Sequence, residues 1–318
     1  MGQALGSKSR LVMDFEDSFK TEPGTPAGMV MPINTFSLKS SRTKNTAQTI
    51  TGSRNPVKPF DGNLSDSGEG VVPVDSQAFG WWLRAMFGAP TTTGTSPYTH
   101  VFKVGDSMPS MVMEVRFQDK TASVLTYAKH NGCKISSFNM SVGGDDELTA
   151  KVGIEAATET IGSTAYDSDP TVLSLNRFNN YQATIEEGGA SIADVTAMDF
   201  TIDFGLDTDV YTIGDGGTRG QIPEGILSVT GSITALFNSD TLLNKAINST
   251  ESSLKLTFTS GADSLEFAFN ELEFERQTPS IDGPKGVLIT LPFVAFYDDD
   301  AAASVVTATL INTVETYA

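Results

Sequence analysis

Few residues in this chain could do chemistry, and their spacing argues against most of it. There are two histidines, His100 in YTHVF and His130 in KHNG, and one cysteine, Cys133. A general base needs a hydroxyl or thiol to activate, and no Ser or Cys motif accompanies either histidine. Both read as strand positions. His130 and Cys133 are close in sequence, but two ligands do not make a zinc site. A single cysteine excludes an intrachain disulfide, and its place at the start of a strand suits a buried, inert thiol. G-x-S-x-G, Walker and H-E-x-x-H patterns are absent from the sequence.

Oxygen-rich loops raise the question of calcium. Asp207-Thr208-Asp209 with Gly214–Gly217 forms one candidate, and Asp298–Asp300 another. Neither follows the twelve-residue EF-hand order, so solvated hairpin tips are the plainer reading. GDGG at 214–217 and VGGDD at 142–146 open no helix, which makes them poor phosphate cradles and ordinary turns. Asn248-Ser249-Thr250 is a glycosylation sequon, but MGQALGSKSR has no apolar leader core. The expectation is no catalytic residue, no cofactor and no resident metal.

The elements around these residues say more. The chain has 318 residues, 39% hydrophobic and 19% charged, which supports a folded core in one large or two modest domains. Net charge is −18, unevenly placed: residues 1–58 hold eight Lys and Arg against four acids, and the rest hold 13 against 35. A basic arm on an acidic body suits self-association, although a merely soluble polar arm has the same composition. An acidic body does not grip nucleic acid, because that grip comes from Lys and Arg on phosphates. It does allow a duplex to pass without sticking. No apolar run approaches the roughly 20 residues of a membrane helix.

Residues 1–28 read as an extended N-terminal arm, and 29–318 as one domain with a long loop over 41–70. A helix is predicted over Gln77–Phe87, capped by Asp75 or Ser76 and stopped at Gly88. Core packing is the default for its FGWWLRAMF face, with Trp81 and Trp82 as alternative intersubunit anchors. Arg42, Lys44, Arg54 and Lys58 in the loop are further intersubunit candidates. A second helix is predicted over Ser239–Ser249. In the strand Ser264–Glu275, Leu265, Phe267 and Phe269 share one parity while Leu272 and Phe274 take the other. A β-bulge near Asn270–Glu271 would bring both sets to one side.

Two segments, 133–156 and 195–237, read as copies of one strand pair. Each alternates apolar and polar residues. Leu148, Ala150, Val152, Ile154 and Ala156 oppose Thr149, Lys151 and Glu155. Met198, Phe200, Ile202 and Phe204 oppose Asp199, Thr201 and Asp203. Leu227, Val229, Ile233 and Phe237 oppose Ser228, Thr230, Ser232 and Thr234.

The order of these features resembles the tail tube proteins of long-tailed phages of the siphophage type. The stretches that carry the resemblance are WWLRAMFGAP, YTHVFKVGDSMPSMVMEVRF, NGCKISSFNMSVGGDDELTAKVGIEA, IPEGILSVTGSITALFNSDTLLNKAINST, SLKLTFTSGADSLEFAFNELEFER and GVLITLPFVAFYDDD. The resemblance implies a mainly β, β-sandwich subunit with one or two short helices, whose inner sheet joins an intersubunit β-barrel. It implies rings, usually hexameric, stacked into a tube through which DNA leaves the capsid. Partners would be copies of itself and tail proteins such as the tape measure and terminator. The place would be the virion, with assembly in the host cytoplasm. On that picture the polar set lines the channel: Thr149, Lys151, Glu155, Asp199, Thr201, Asp203, Ser228, Thr230, Ser232 and Thr234. The rival readings are a head–tail connector or terminator, a capsid decoration protein, and a secreted β-sandwich binding module.

Overall fold

The alternating segments fold as strands, and nearly all of them pair antiparallel. The computed structural model describes residues 2–122, 125–192, 194–281, 283–298 and 301–317. The longest row of strands runs Thr35–Phe36, Phe60–Pro73, Thr149–Ala156, the second half of Leu125–Val142, Val195–Asp203, Ser228–Leu236, Leu288–Phe296 and the end of Asp263–Phe274. A second layer runs Ala183–Glu187, Ser252–Ser260, the first part of Asp263–Phe274, Val306–Asn312, Tyr98–Lys103 and Thr91–Gly94. A smaller group joins Arg10–Phe15, Met29–Met31, Met111–Gln118, the first half of Leu125–Val142 and Thr158–Gly162.

Apolar faces bring the two layers together. Phe138 and Phe200 of the long row meet Phe267 at ring-centroid distances of 5.9 and 5.2 Å, and Phe200 meets Phe269 at 5.0 Å. Gly231 lies beneath Phe293, where a Cβ would come within 2.6 Å of the ring, so only glycine leaves that aromatic its place. This is a β-sandwich, as the alternation predicts. The bulge is present as well: Leu254 pairs Phe269 and Ser252 pairs Leu272, so Asn270 and Glu271 oppose one residue. With that extra residue, Leu272 and Phe274 are as buried as Leu265 and Phe267.

Helix α1 covers Phe79–Phe87 and α2 covers Thr241–Ile247, each slightly shorter than predicted. Asp75 opens α1: its Oδ1 accepts the N–H groups of Gln77 and Ala78, both at 2.7 Å. Gly88, at φ +87°, closes it. Burial pushes the Asp75 carboxyl up to about 6, against the backbone hydrogen bonds that favour its charged form. The folded state therefore holds this proton more tightly than the unfolded chain. Its contribution to stability is full below the unfolded value of 3.8 and is lost as pH rises through about 6. Asp75→Asn keeps an acceptor for the cap without the buried charge. It should flatten that part of the stability profile, read as urea midpoints at pH 4.5 and 7.5. An unchanged slope would refute the assignment.

Two sequence expectations need correction. Residues 1–28 are not wholly an extended arm: Arg10–Phe15 pairs with Met111–Gln118 and Met29–Met31, and Leu11, Val12 and Met13 are buried. The loop over 41–70 is largely a β-hairpin, Lys39–Asn45 against Phe60–Pro73, and only 46–59 forms its tip. The segments 133–156 and 195–237 lie side by side: Ser137–Val142 pairs directly with Met198–Asp203.

Candidate self-assembly surface

The long row has two faces of opposite character, set by strand register. One cross-strand line reads Val152, Phe138, Ile202, Val229 and Ala295, all buried. The line beside it reads Lys151, Asn139, Thr201, Thr230 and Val294, on the opposite face. Further lines on this second face read Ser141, Asp199, Ser232 and Pro292, and Ser137, Asp203 and Ser228. Short side chains tie the strands laterally. Asn139 donates to Thr201 Oγ1 at 2.9 Å, Ser232 Oγ donates to Asp199 at 2.6 Å, and Thr234 and Thr290 hydroxyls lie 2.9 Å apart.

Nine of the ten residues predicted from alternation lie on this half-exposed to exposed face: Thr149, Lys151, Asp199, Thr201, Asp203, Ser228, Thr230, Ser232 and Thr234. Glu155 has the same parity and is half-buried, but its carboxylate is already engaged. The excursion 204–227 folds over it, and Arg219 pairs with it at 2.9 Å. Burial pushes the Glu155 carboxyl up, while the Arg219 charge holds it down, with burial the larger effect. Sequence reasoning missed Ser137, Asn139 and Ser141 on the same face. Their signal was the alternation in KISSFNMSV, hidden by an extra residue at Ser136 where the register with Gly153 and Ile154 shifts. The strand Leu288–Phe296 stands where alternation over 286–297 predicts one, but its place beside Ser228–Leu236, which brings Thr290, Pro292 and Val294 to the face, was not legible.

The intersubunit candidates divide. Trp82 is 1% exposed and fills the core of its own chain, so it does not anchor a partner. Trp81 is half-buried and also packs at home, 6.0 Å from the Phe15 ring and 5.4 Å from Tyr317. The apolar stripe of α1 simply faces inward. Arg42, Lys44, Arg54 and Lys58 are exposed along the hairpin and its tip. Arg42 donates to the Gly216 carbonyl at 2.8 Å, and Lys44 pairs with Asp61. Residues 39–59 hold five cations and no acid.

The residues with reactive side chains are occupied internally. His130 is fully buried, its Nδ1 2.9 Å from Asp66. His100 is fully buried between Thr92 Oγ1 and the Val314 carbonyl, each at 2.9 Å, and burial pulls its pKa down. Cys133 is fully buried, and burial pushes its thiol well up, which keeps it from the reactive thiolate. In the first calcium candidate, Asp215 pairs with Lys20 at 2.7 Å. Asp299 and Asp300 of the second lie outside the described residues. Among the described residues no three His, Cys, Asp or Glu side chains converge as a metal site, and no helix is long and apolar enough to cross a membrane.

Layered strands with one long polar face define the class of this molecule: a mainly β sandwich with two short helices. A family model described as phage tail tube protein matches residues 6–295. The chain therefore belongs to the phage tail tube protein family, whose members are structural components of the virion tail and not enzymes. No curated protein matches it.

Proposed function

We propose that this chain is the subunit that builds the wall of the tail tube. Copies of it close into rings, the rings stack, and the polar face of the long row lines the channel through which phage DNA is delivered. One observation carries this reading. The face that spans the row is mostly hydroxyls, amides and carboxylates, with Pro292, Val294, Leu236 and Leu288 as apolar members at one end, and of the residues named on it only Lys151 is basic. A wall of this kind repels phosphates and gives the duplex nothing to hold, because nonspecific binding depends on Lys and Arg. Closure also removes the edges that such a sheet leaves open.

The test is charge reversal in assembled particles. Asp199→Lys with Asp203→Lys adds four charges per subunit at solvated positions and should leave tubes intact. DNA ejection should slow by roughly tenfold at low ionic strength, with the deficit shrinking as salt screens the wall. Ejection at the normal rate from such tubes would exclude a channel on this face. A purified protein that forms no tubes by negative stain, at any concentration or salt, would exclude the tube role itself.

A further inference from the structure

The wiring of the chain occurs twice. In the first half, Thr35–Phe36 leads through an excursion into Phe60–Pro73, then α1, then Met111–Gln118, which hairpins onto Leu125–Val142, followed by Thr149–Ala156 and Thr158–Gly162. In the second half, Val195–Asp203 leads through the excursion 204–227 into Ser228–Leu236, then α2, then Ser252–Ser260, which hairpins onto Asp263–Phe274, followed by Leu288–Phe296 and Val306–Asn312. The pairings repeat with the order. Thr158–Gly162 lies on the first part of one long strand as Val306–Asn312 lies on the first part of the other. Thr149–Ala156 sits between Phe60–Pro73 and its long strand, as Leu288–Phe296 sits between Ser228–Leu236 and its own. Both long strands carry an extra residue at the same stage, Ser136 in one and the Asn270–Glu271 pair in the other. The hairpin Thr91–Lys103 is an addition to the first half.

We infer that the chain is two tandem copies of one module, and that rings close by repeating, between subunits, the junction that already joins the two modules within a subunit. That junction sets Ser137–Val142 of the first long strand antiparallel to Met198–Asp203, the first strand of the second module. The second long strand has the corresponding edge: beyond Leu272, no strand pairs the far side of Glu273 and Phe274 among the described residues. The first strand of the first module has the complementary edge, since Thr35–Phe36 pairs only with Phe60–Pro73 among the described residues. Transferring the internal register sets Thr35 of one copy opposite Glu273 of the next, Asn34 opposite Phe274 and Ile33 opposite Glu275. Thr35 and Glu273 then occupy the places of Thr201 and Asn139, which hydrogen-bond across the internal junction.

Charge agrees with this choice of partner. The second module's excursion seats on the first module through Arg219. The first module's excursion touches its own chain near its base, where Arg42 donates to the Gly216 carbonyl, but its tip over 46–59, with Arg54 and Lys58, extends into solvent. The edge toward which the repeat directs it carries Glu273 and Glu275, both exposed. The count follows from the wall. Each subunit supplies eight strands to the row, so three copies give about 24 strands and a backbone radius of about 24 Å at ~4.8 Å spacing and ~40° tilt. Two copies give about 16 Å by the same geometry, which inward side chains and a duplex with a major groove about 8.5 Å deep would fill. Three is the smallest ring that clears a hydrated duplex.

This inference rests on the tube reading, and the experiment separates the two. Tubes of the Thr35→Cys, Glu273→Cys variant are imaged, oxidised and run on a denaturing gel without reductant; the native Cys133 is buried and does not compete. Cross-linked species should appear and stop at three chains. Thr35→Cys with Glu275→Cys should yield roughly tenfold less, because residues two apart along a facing strand lie about 7 Å from the first. Tubes with no cross-link, or with equal cross-linking in both pairs, would overturn the junction. A series that stops at six would overturn the count. A wild-type protein that forms no tubes would overturn the tube reading and the junction with it.

Discussion

Arg219→Ala should cost about 3–5 kcal/mol of folding stability, the range for stranding the partner of a buried ion pair. Arg219 is 4% exposed. Its Nε donates to the Thr208 carbonyl at 2.7 Å, and its Nη1 donates to the carbonyls of Asp66 and Ala156 at 3.0 and 2.6 Å. Its remaining nitrogen pairs with Glu155. Alanine leaves three carbonyls and a carboxylate in a covered site without their donor. Lysine should recover little of the loss, since a single ammonium cannot reproduce a planar fork of donors. Urea unfolding of the unassembled subunit gives the number, and a loss under about 1 kcal/mol would mean that water replaces the guanidinium. The same variant should release the excursion 204–227 from the first module. Faster amide exchange there, with the sandwich core still protected, would report it.

Phe200→Ala should be of similar size, about 3–5 kcal/mol, for a different reason. Phe200 is fully buried and touches the rings of Phe138, Phe267 and Phe269 at 5.7, 5.2 and 5.0 Å. Two of those rings belong to the other layer, so the vacancy opens at the contact between layers. Strands on both sides are held by their ladders and can close the gap only in part. Phe200→Leu keeps most of the volume and should lose well under half as much. Equal losses for the two variants would show that the aromatic edges, and not the filled space, hold the layers. Both variants keep the polar face unchanged, so tubes that do form should still pass DNA normally.

Much of this was legible from residues alone, where one face of a strand is buried and the other is wet. That condition writes alternation into Thr149–Ala156, Val195–Asp203 and Ser228–Leu236, and those strands stand where the pattern predicts. It also placed the bulge at Asn270–Glu271, because a parity change in an apolar strand has few physical remedies. Arg10–Phe15 was missed because Leu11, Val12 and Met13 are buried in succession and leave no alternation to read. The hairpin 39–73 was missed for the opposite reason: the outer parts of both strands are largely exposed on both faces, so hydroxyls and cations fill one and Asp, Asn, Gly and Ser most of the other. The polar face was found only in part. Glu155 has the right parity, yet a distant excursion engages its carboxylate, and no local pattern announces a contact from Arg219, 64 positions away. That 133–156 and 195–237 lie side by side was hidden for the same reason. Alternation reports that a strand has two faces and says nothing about which strand is its neighbour.

Leu125–Val142 and Asp263–Phe274 each begin in one sheet and end in another. The layers are therefore stitched by continuous backbone as well as pressed together by side chains. Under mechanical load, peeling one layer from the other would require tearing hydrogen-bonded ladders along a whole strand instead of parting a greasy seam. A wall made this way gives more readily by bending than by delaminating, which suits a hollow rod that must flex without splitting.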